Sequence, residues 1–509
     1  MHRPSPFSAS RRAFMIAATA CVLLGAALPA AAQERIERWY RVELMGQKAG
    51  WMRELTETAD GRITTTSESK ISLARDAIPI VIEMDSAFVE TVDGKPISMR
   101  SRQLMAAQEV VKEYTFGEAG VKEITMQGGR RTETDAERPA GEWLTPAAAR
   151  VYFNQRLKAG AQEITVRTVT AENGLGPVTS KYTGLAPAKV TVRGHEIDAH
   201  RCDVELSMTP GMKSVEYVDG AGTMVKTETS LGGIKMVLTL STQEDAAGEV
   251  KAPEIMINTF VKPDRVISKA RTTASAVYVV SDPDALPDLP TTGAQGVERI
   301  DGKSARVRVA SGVWAAAPEA DLTDAAYLKA SSMVDSSDEK IKGMAEKALA
   351  AAGDKTPAER AEILRRFAHA FIRSKNLGSG FASASEVART KSGDCSEHGV
   401  FTAALLRAAG IPSRVAAGLI YADSFAGSKD IFGYHMWTQA LIEVDGQRRW
   451  VDLDATLPDA TPFDATHITL AVSALPEGEL AASLASMATT LGRLSIKVEA
   501  VSQKPGAEK

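Results

Sequence analysis

From about residue 35 to residue 262 the sequence alternates apolar and polar residues at the period of a β-strand. Runs rich in β-branched residues, such as residues 78–89, are separated by tight-turn dipeptides, of which Asp60-Gly61 is one. Because strands this close together pair through short hairpins, we predict one large antiparallel sheet, sandwich or open barrel. One helical segment, near residues 146–157, interrupts the strands.

The period of the pattern changes in the second half of the chain. Residues 263–330 carry proline and glycine breakers between two predicted strands, at 275–280 and 305–310, and we predict a connecting β-hairpin there. Helical spacing begins at Ser336. The clearest helix starts after Thr356, its N-cap, which is followed by Pro357 and forms a capping box with Glu359. The chain is therefore predicted to be α+β, with a β-rich domain before a domain that contains helices.

The N-terminus has the pattern of a targeting segment. Paired arginines at Arg11 and Arg12 precede an apolar run from Ile16 to Leu28. The small residues Ala30-Ala31-Ala32 follow this run and form a cleavage site before Gln33. This pattern is typical of a twin-arginine export signal, so we predict that residues 1–32 are removed. The mature protein is then exported, to the periplasm or another extracytoplasmic compartment, without a stable membrane span. A general secretory signal and an uncleaved anchor are the alternatives, although the run is short for a membrane span.

Charge and composition exclude several classes of function. The chain of 509 residues has a net charge of −4, and loss of the three arginines in the signal leaves 57 basic against 64 acidic residues, a net charge of −7. This balance gives no reason to expect a nucleic-acid partner. The sequence has no Cys/His spacing typical of zinc sites and no glycine-rich phosphate loop, so we predict neither a metal nor a cofactor.

Two cysteines, Cys202 and Cys395, remain once the signal is removed. In an oxidising compartment such a pair invites a disulfide. A nucleophilic Cys395 would have to stay free, however, and Cys202 would then be a solitary thiol in the other domain. We therefore predict that these two cysteines are not linked to each other.

The stretch Gly393–His398 has the form of a helix N-terminus. Asp394 is a suitable N-cap, Glu397 follows three residues later as in a capping box, and apolar residues recur at helical spacing until Gly410. Cys395 then lies in the first turn, where unpaired N–H groups and the helix dipole favour thiolate over thiol. This position makes Cys395 a candidate nucleophile, and a buried structural cysteine is the alternative.

The segments after this helix switch to the strand period. Two strands, at 436–444 and 449–453, are joined by the turn Asp445-Gly446. A hairpin about this turn pairs residues whose numbers sum to about 891, which places His435 within a short diagonal of Asp454. Histidine can take the thiol proton, and a carboxylate can orient the histidine ring. The pattern thus predicts a Cys/His/Asp triad.

Four ordered motifs resemble the core of the transglutaminase-like superfamily, a papain-like cysteine fold: Gly393-Asp394-Cys395, residues 404–415, His435-Met436-Trp437 and residues 450–456. The resemblance covers about residues 330–475. It implies that Cys395 is the nucleophile, His435 its base and Asp454 the orienting carboxylate, with Asp452 as the fallback for that last role. A helix that bears the cysteine would pack on an antiparallel sheet that bears the histidine and the aspartate.

The match to this superfamily has two departures. Met436 stands where the family usually has alanine, and the loop before His435 is shorter than in animal transglutaminases. No segment resembles the calcium sites of those enzymes, so calcium activation is not implied.

Together with the predicted export signal, the resemblance implies an exported cysteine enzyme that acts on a protein or peptide in the cell envelope. Cys395 would form a thioester with an amide substrate, and the thioester would be resolved by water, as in a protease or amidase, or by an amine, as in acyl transfer and cross-linking. The alternative is a non-catalytic binding or scaffold module of the envelope. The backbone N–H of Cys395 is expected to be one oxyanion donor.

Other histidines receive separate interpretations. His398 lies one helical turn after Cys395 and is expected either to contact substrate or to be structural. His369 has apolar helical neighbours and is interpreted as structural. His195 and His200 lie close together in the β-rich half, where we interpret them as a surface feature and not as a metal site.

The predicted organisation has five parts, listed in chain order: a signal peptide at 1–32, a β-rich domain at 33–262, a connecting hairpin at 263–330, the catalytic core at 331–475, and a C-terminal helix, strand and tail at 476–509.

Overall fold

The computed structural model describes residues 34–505 except 77, 106–107, 128, 209–211, 213, 379–381, 459–460, 462 and 477–488. The signal peptide predicted at residues 1–32 lies outside the described residues. In the C-terminal segment 476–509 the described residues include one strand, and the helix predicted in that segment falls outside the described ranges.

The N-terminal half is one antiparallel sheet, in which the described residues form fourteen strands. The strands are β1 (Glu34–Leu44), β2 (Gln47–Ala59), β3 (Arg62–Arg75), β4 (Ile78–Thr91), β5 (Pro96–Met105), β6 (Gln108–Phe116), β7 (Val121–Gln127), β8 (Arg130–Ala136), β9 (Ile164–Thr168), β10 (Val178–Val192), β11 (His195–Leu206), β12 (Ser214–Val218), β13 (Met224–Leu231) and β14 (Ile234–Ser241). The sheet consists of two meanders, β1 to β8 and β9 to β14, which join where β1 pairs with β14. This architecture confirms the predicted large antiparallel β domain.

Local sequence explains the hairpins of this sheet. At the β2–β3 turn, Asp60 and Gly61 have φ angles of 51° and 71°, the left-handed conformation that two-residue hairpin turns require. In β4 the side chains of Ser86, Phe88 and Glu90 are buried while the residues between them are less so, which is the period of a strand with one covered face. The predicted helical segment is α1 (Pro146–Lys158), and a short helix, α2 (Gln243–Ala247), follows β14.

Residues 263–330 contribute more than the predicted hairpin. These residues form three strands, β15 (Thr273–Ser281), β16 (Gln295–Arg299) and β17 (Ser304–Ala310). They belong to one sheet with a strand near the C-terminus, β24 (Ser495–Gln503), in the order β16-β17-β15-β24. This sheet packs on the helical domain. For example, the Tyr278 ring meets Phe432 edge-on at 5.6 Å, and its hydroxyl donates to the Ala465 carbonyl at 2.9 Å.

The remaining elements form the helical domain, which begins before residue 331, the predicted start of the core. Its helices are α3 (Glu319–Thr323), α4 (Glu339–Leu349), α5 (Pro357–Phe371), α6 (Ala384–Thr390) and α7 (Cys395–Ala408). Its strands are the short pair β18 (Ser374–Lys375) and β19 (Ser392–Gly393), and the antiparallel sheet of β20 (Ser413–Phe425), β21 (Ser428–Val444), β22 (Gln447–Leu453) and β23 (His467–Ser473). The order across that sheet is β22-β21-β20-β23.

Helix α7 is the centre of this core. Every residue from Ser396 to Arg407 is buried, as expected for a helix that is covered on all sides. At Gly399 an added Cβ would lie 3.3 Å from Met436 Cγ and 3.5 Å from the Trp437 carbonyl oxygen, so glycine allows the helix to approach β21 closely. The cysteine helix therefore packs directly on the strand that carries His435, which confirms the predicted arrangement of helix and sheet.

Among the helices in the described part of the chain, none combines the length and the apolar character that a membrane crossing requires.

Candidate active site

Cys395 is the first residue of α7 and keeps part of its surface exposed, whereas the residues that follow it in the first turn are buried. The capping box predicted from the sequence is present. Asp394 accepts from the Ser396 N–H at 2.9 Å, and Glu397 Oε2 accepts from the Asp394 N–H at 2.7 Å. These bonds fix the start of the helix and hold the thiol at its positive end.

Glu397 also explains the glycine of the Gly393-Asp394-Cys395 motif. Its Oε1 accepts from the Ala382 N–H at 2.7 Å, and the side chain is completely buried. Burial and the neighbouring Asp394 charge raise the pKa of Glu397. A Cβ on Gly393 would lie 2.2 Å from Glu397 Cβ, so only glycine fits beside this carboxyl group. The packing of Glu397 therefore explains the glycine of the motif.

The structure brings together the three residues of the predicted triad. His435 Nε2 lies 2.8 Å from Asp454 Oδ2, and Cys395 lies close enough to the His435 ring to raise its pKa. Because Nε2 contacts Asp454, Nδ1 is the ring nitrogen left for the thiol. Burial is the largest influence on His435 and lowers its pKa. The charge and hydrogen bond of Asp454, together with Cys395, outweigh burial and raise the pKa of His435 to about 9.

The hairpin register accounts for this geometry. Residues of β21 and β22 pair with numbers that sum to 891, as in Thr438 with Leu453 and Gln439 with Asp452, so the predicted register is the observed one. Asp454 follows the end of β22 and turns its Oδ1 to the N–H and hydroxyl of Thr456, at 2.8 and 2.7 Å. Its other oxygen, Oδ2, therefore faces His435.

Asp452, the fallback carboxylate, has a different set of partners. Its Oδ1 accepts from Trp437 Nε1 and Gln439 Nε2, each at 2.8 Å, and its Oδ2 accepts from the Ala294 N–H at 2.8 Å. Burial raises the pKa of Asp452, against these hydrogen bonds. The structure thus places Asp454 against His435 and places Asp452 in the packing between the core and the β15–β17 region.

His467 is a residue of the site that the sequence reasoning missed. Its Nε2 lies 3.1 Å from Asp454 Oδ2, and its Nδ1 lies 2.9 Å from the Asp464 backbone oxygen. Burial lowers the pKa of His467, but Asp454 and Asp464 outweigh burial and raise it to about 9. No motif marks this histidine, because it starts β23, a strand that the sequence pattern did not predict.

Among the described residues, His435, Asp454 and His467 are also the one group whose potential ligand atoms lie within 4.8 Å of one another. Both histidine nitrogens contact the same carboxylate oxygen directly, at hydrogen-bond distances. A bridging ion would have to lie between those atoms, so we assign the group to hydrogen bonding. His195 and His200 belong to no such group in the described part of the chain.

The other predicted residues occupy supporting positions. His398 Nδ1 lies 2.6 Å from the Asp394 backbone oxygen, its side chain is buried, and burial lowers its pKa. His369 Nδ1 lies 2.8 Å from the Ala455 backbone oxygen, which agrees with a structural role. Cys202 and Cys395 are both free thiols, as predicted.

The thiol opens into a cleft of about 930 Å³ that is shared by the two halves of the chain. Cys395, His398 and His435 form one part of its wall, and the β3–β4 turn contributes Arg75 and Ile78 from the N-terminal sheet. Arg75 Nη2 lies 2.9 Å from Asp394 Oδ2, next to the thiol. The N-terminal sheet is therefore part of the site's surroundings, which the sequence did not indicate.

Comparison with known proteins agrees with this geometry. The profile of the transglutaminase-like superfamily matches residues 344–455, which include all three triad residues. The match confirms the resemblance read from the four motifs. No curated protein matches the chain.

Three solved structures match parts of this chain and share little sequence with it. A "putative cysteine protease" from Cytophaga hutchinsonii is 16% identical, with a TM-score of 0.27, and the match covers 44% of this chain and 83% of that one. A "putative protease" from Parabacteroides distasonis is 12% identical, with a TM-score of 0.19 and coverage of 72% and 69%. A beta-barrel-like protein with a domain of unknown function from Brucella abortus is 11% identical, with a TM-score of 0.30 and coverage of 40% and 95%.

Proposed function

Residues 344–455 are a transglutaminase-like superfamily core, and on that premise we propose that the protein is a cysteine enzyme that acts on amide carbonyls of proteins or peptides. The observation that carries the proposal is the series of neighbouring side chains from Cys395 through His435 to Asp454, in which His435 is hydrogen-bonded to Asp454, at the wall of an open cleft. A thiol at a helix N-terminus beside an imidazolium is the arrangement that stabilises a thiolate nucleophile.

The reaction follows from these positions. The Cys395 proton passes to His435 Nδ1, and Sγ attacks the substrate carbonyl carbon, which forms the S–C bond. The N–H of Cys395, one of the first N–H groups of α7, is suitably placed to donate to the oxyanion. His435 then gives its proton to the departing amine as the C–N bond breaks, and a thioester remains. Water or a second amine, deprotonated by His435, releases the acyl group and restores the thiol.

Asp454 orients this chemistry without entering it. It accepts a hydrogen bond from the His435 Nε2–H, which fixes the tautomer whose Nδ1 is available to the thiol, and it stabilises the imidazolium that forms. Burial favours the neutral form of Asp454, but His435 and His467 outweigh burial and hold its pKa well below the usual range. Asp454 therefore stays ionised while the proton moves between Cys395 and His435.

Thiol labelling of the protein without residues 1–32 tests this proposal. We expect iodoacetamide to modify Cys395 faster than a free thiol at neutral pH and expect His435→Ala to abolish that advantage. Cys202→Ala is the matched control and should label normally, because Cys202 is fully buried and burial raises its pKa to about 12. Labelling of Cys395 at the rate of a free thiol, unchanged in His435→Ala, would instead support the binding or scaffold module.

The acceptor is tested with cell-envelope proteins and a fluorescent primary amine. Incorporation of the amine identifies acyl transfer, and new peptide fragments without incorporation identify hydrolysis. Either product should disappear in Cys395→Ala. If wild type and Cys395→Ala give the same products with the complete set of envelope proteins, the proposed activity on protein substrates is wrong.

We also propose export through the twin-arginine route, on the basis of Arg11, Arg12 and the apolar run that follows them. The double change Arg11→Lys with Arg12→Lys should leave the precursor in the cytoplasm. Normal processing of that double variant would point to the general secretory route.

A further inference from the structure

We propose that His467 is a positioning residue that acts on His435 through Asp454, as a buried imidazolium that keeps its charge while the proton of His435 comes and goes. The inference concerns the proposed catalytic site and so rests on the proposed function. His467 itself is 1% exposed, between the rings of Phe463 and Trp437. It therefore does not reach the substrate, and any effect on the reaction passes through Asp454.

The hydrogen bonds of His467 define its charge. Nδ1 lies 2.9 Å from the Asp464 backbone oxygen, which can only accept, so Nδ1 carries a proton. Nε2 lies 3.1 Å from the ionised Asp454 Oδ2, which also only accepts, so Nε2 carries a proton as well. A ring that donates from both nitrogens is an imidazolium. The raised pKa of His467, about 9, agrees with this charge.

Charged groups on neighbouring elements compensate this imidazolium. Asp464 is fully buried, its Oδ1 lies 3.6 Å from His467 Nδ1, and its Oδ2 lies 2.8 Å from Arg271 Nη1. Two anions, Asp454 and Asp464, then face two cations, His467 and Arg271, and their charges sum to zero. Buried charges of this kind are tolerated when they are paired and hydrogen-bonded.

Proton transfer within the reacting pair does not disturb this balance of charges. Cys395 and His435 together are neutral, both as thiol with imidazole and as thiolate with imidazolium. Asp452 also faces this region, but its oxygens are taken by Trp437, Gln439 and the Ala294 N–H. The proton can therefore move between Cys395 and His435 without changing the net charge of the buried cluster.

Sequence features hold β23 in the position that this contact needs. Gly418 of β20 pairs with His435 on one side and with Thr469 of β23 on the other. The pairing of β20 with β23 has a register shift between Ala417 and Gly418. A Cβ at Gly418 would lie 2.0 Å from the Ile468 backbone oxygen, so the close approach of β23 at this point requires glycine. The close approach brings His467 to the same oxygen of Asp454 that His435 uses.

Sharing that oxygen has a chemical consequence. The rings of His435 and His467 are 5.8 Å apart, so the charge on His467 opposes a charge on His435. Without His467, the whole field of Asp454 would act on His435 and would hold the proton on its ring more tightly. His467 thus keeps Asp454 ionised and oriented while leaving His435 able to release its proton to the departing amine.

The first test is the charge of His467 in the wild-type protein without residues 1–32. Nitrogen NMR of protein with ¹⁵N-labelled histidine distinguishes imidazolium from imidazole, and contacts with the stacked Phe463 ring identify His467. We expect both nitrogens of His467 to stay protonated from pH 6 to pH 8. A neutral His467 at pH 7 would overturn the proposal. The measurement needs no substrate, so its result is separate from that of the proposed activity.

The second test follows Cys395 alkylation from pH 4 to pH 10. In His467→Gln the amide can still donate to Asp454 but carries no charge, so the alkaline step set by His435 should move to higher pH by on the order of one unit. His467→Lys, which restores a cation, should move the step back towards the wild-type value. A purely structural role predicts slower labelling with an unmoved step.

The control for this second test is His369→Gln, which changes a histidine bound to the Ala455 carbonyl and not to Asp454. Its alkaline step should match that of wild type. If the step moves equally in His369→Gln and His467→Gln, or in neither, the proposal is wrong. Should His467→Gln not fold, the wild-type spectrum alone decides the charge on which the proposal depends.

Discussion

In the N-terminal sheet, ion pairs lie on accessible faces, as where Arg102, 25% exposed, meets Glu109, 52% exposed. In the core, Arg414 is 5% exposed and Asp454 is fully buried. Exposed pairs are well hydrated and contribute little to stability. Buried pairs are costly to form but leave an uncompensated charge when one partner is lost, so they enforce one geometry. We conclude that the sheet tolerates change in its charges, whereas the core depends on them.

The largest expected effect is in the triad. Asp454→Ala should lower the rate of Cys395 labelling and of turnover by about 10³- to 10⁴-fold, because His435 loses its orienting partner. Asp452→Ala is the matched change two residues earlier, in β22. It should keep the labelling rate but unfold at lower temperature, because Trp437 and Gln439 lose their acceptor. The reverse outcome, with folded proteins, would move the catalytic carboxylate to Asp452.

Equivalent arginine changes in the two regions sharpen the comparison. Arg414 donates to Gln439, Asp321 and Thr292 and lies 3.8 Å from the centre of the Trp450 ring. Arg414→Met should therefore cost about 3–5 kcal/mol in the free energy of unfolding.

Arg102→Met, the counterpart in the sheet, should cost about 1 kcal/mol or less. Denaturant unfolding measures both changes. Similar losses in the two variants would show that the difference in burial does not control their energetic importance.

A third expectation concerns pH. The pKa values of His435 and His467 are raised to about 9, above the value near 6.5 of an unfolded histidine. Their contribution to stability is then fully present below pH 6.5 and is lost as pH rises through 9. Thermal unfolding should accordingly show a decline in stability between these values, of roughly 3 kcal/mol for each histidine. His467→Gln should flatten this decline, and an unchanged slope would contradict the assignment.

The smallest expected effect tests whether the sheet assists the core. Arg75 is the sheet residue that pairs with Asp394, the N-cap of the thiol helix. Arg75→Ala should cost about 1 kcal/mol and slow Cys395 labelling by about two- to tenfold, because the capping box remains. The control is Lys70→Ala, which breaks a pair with Glu83 inside the sheet and should leave labelling unchanged. Equal labelling in wild type and both variants would make the Arg75 contact incidental.

The parts of the site that could be predicted are those specified by local sequence. The capping box at Cys395 depends on residues within one helical turn, and the meeting of His435 with Asp454 depends on one tight turn and the period of two strands. His467 could not be predicted in this way, because its position depends on how β23 pairs with β20. Arg75 was missed for a similar reason, since its contact depends on the packing of a distant sheet.

The same distinction applies to the fold. The turn dipeptides predicted an antiparallel domain in the first half, and the change of period predicted a helical domain after it. The hairpin predicted at 263–330 was incomplete, because the pairing of β15 with β24 leaves no local pattern. Pairing over such distances is decided by the burial of whole faces and not by neighbouring residues.

The pairing of β15 with β24 has a consequence for the order of folding. Ser281 and Ser495 face each other across these strands although 214 residues separate them. Closing so long a loop is slow, and until it closes one edge of β15 has no partner strand. Ile496 and Val498 of β24 also fill the apolar cluster that contains Trp437. During translation, then, we expect the thiol site to reach its final geometry only after β24 has left the ribosome. Cys395 would thus become reactive at the end of folding.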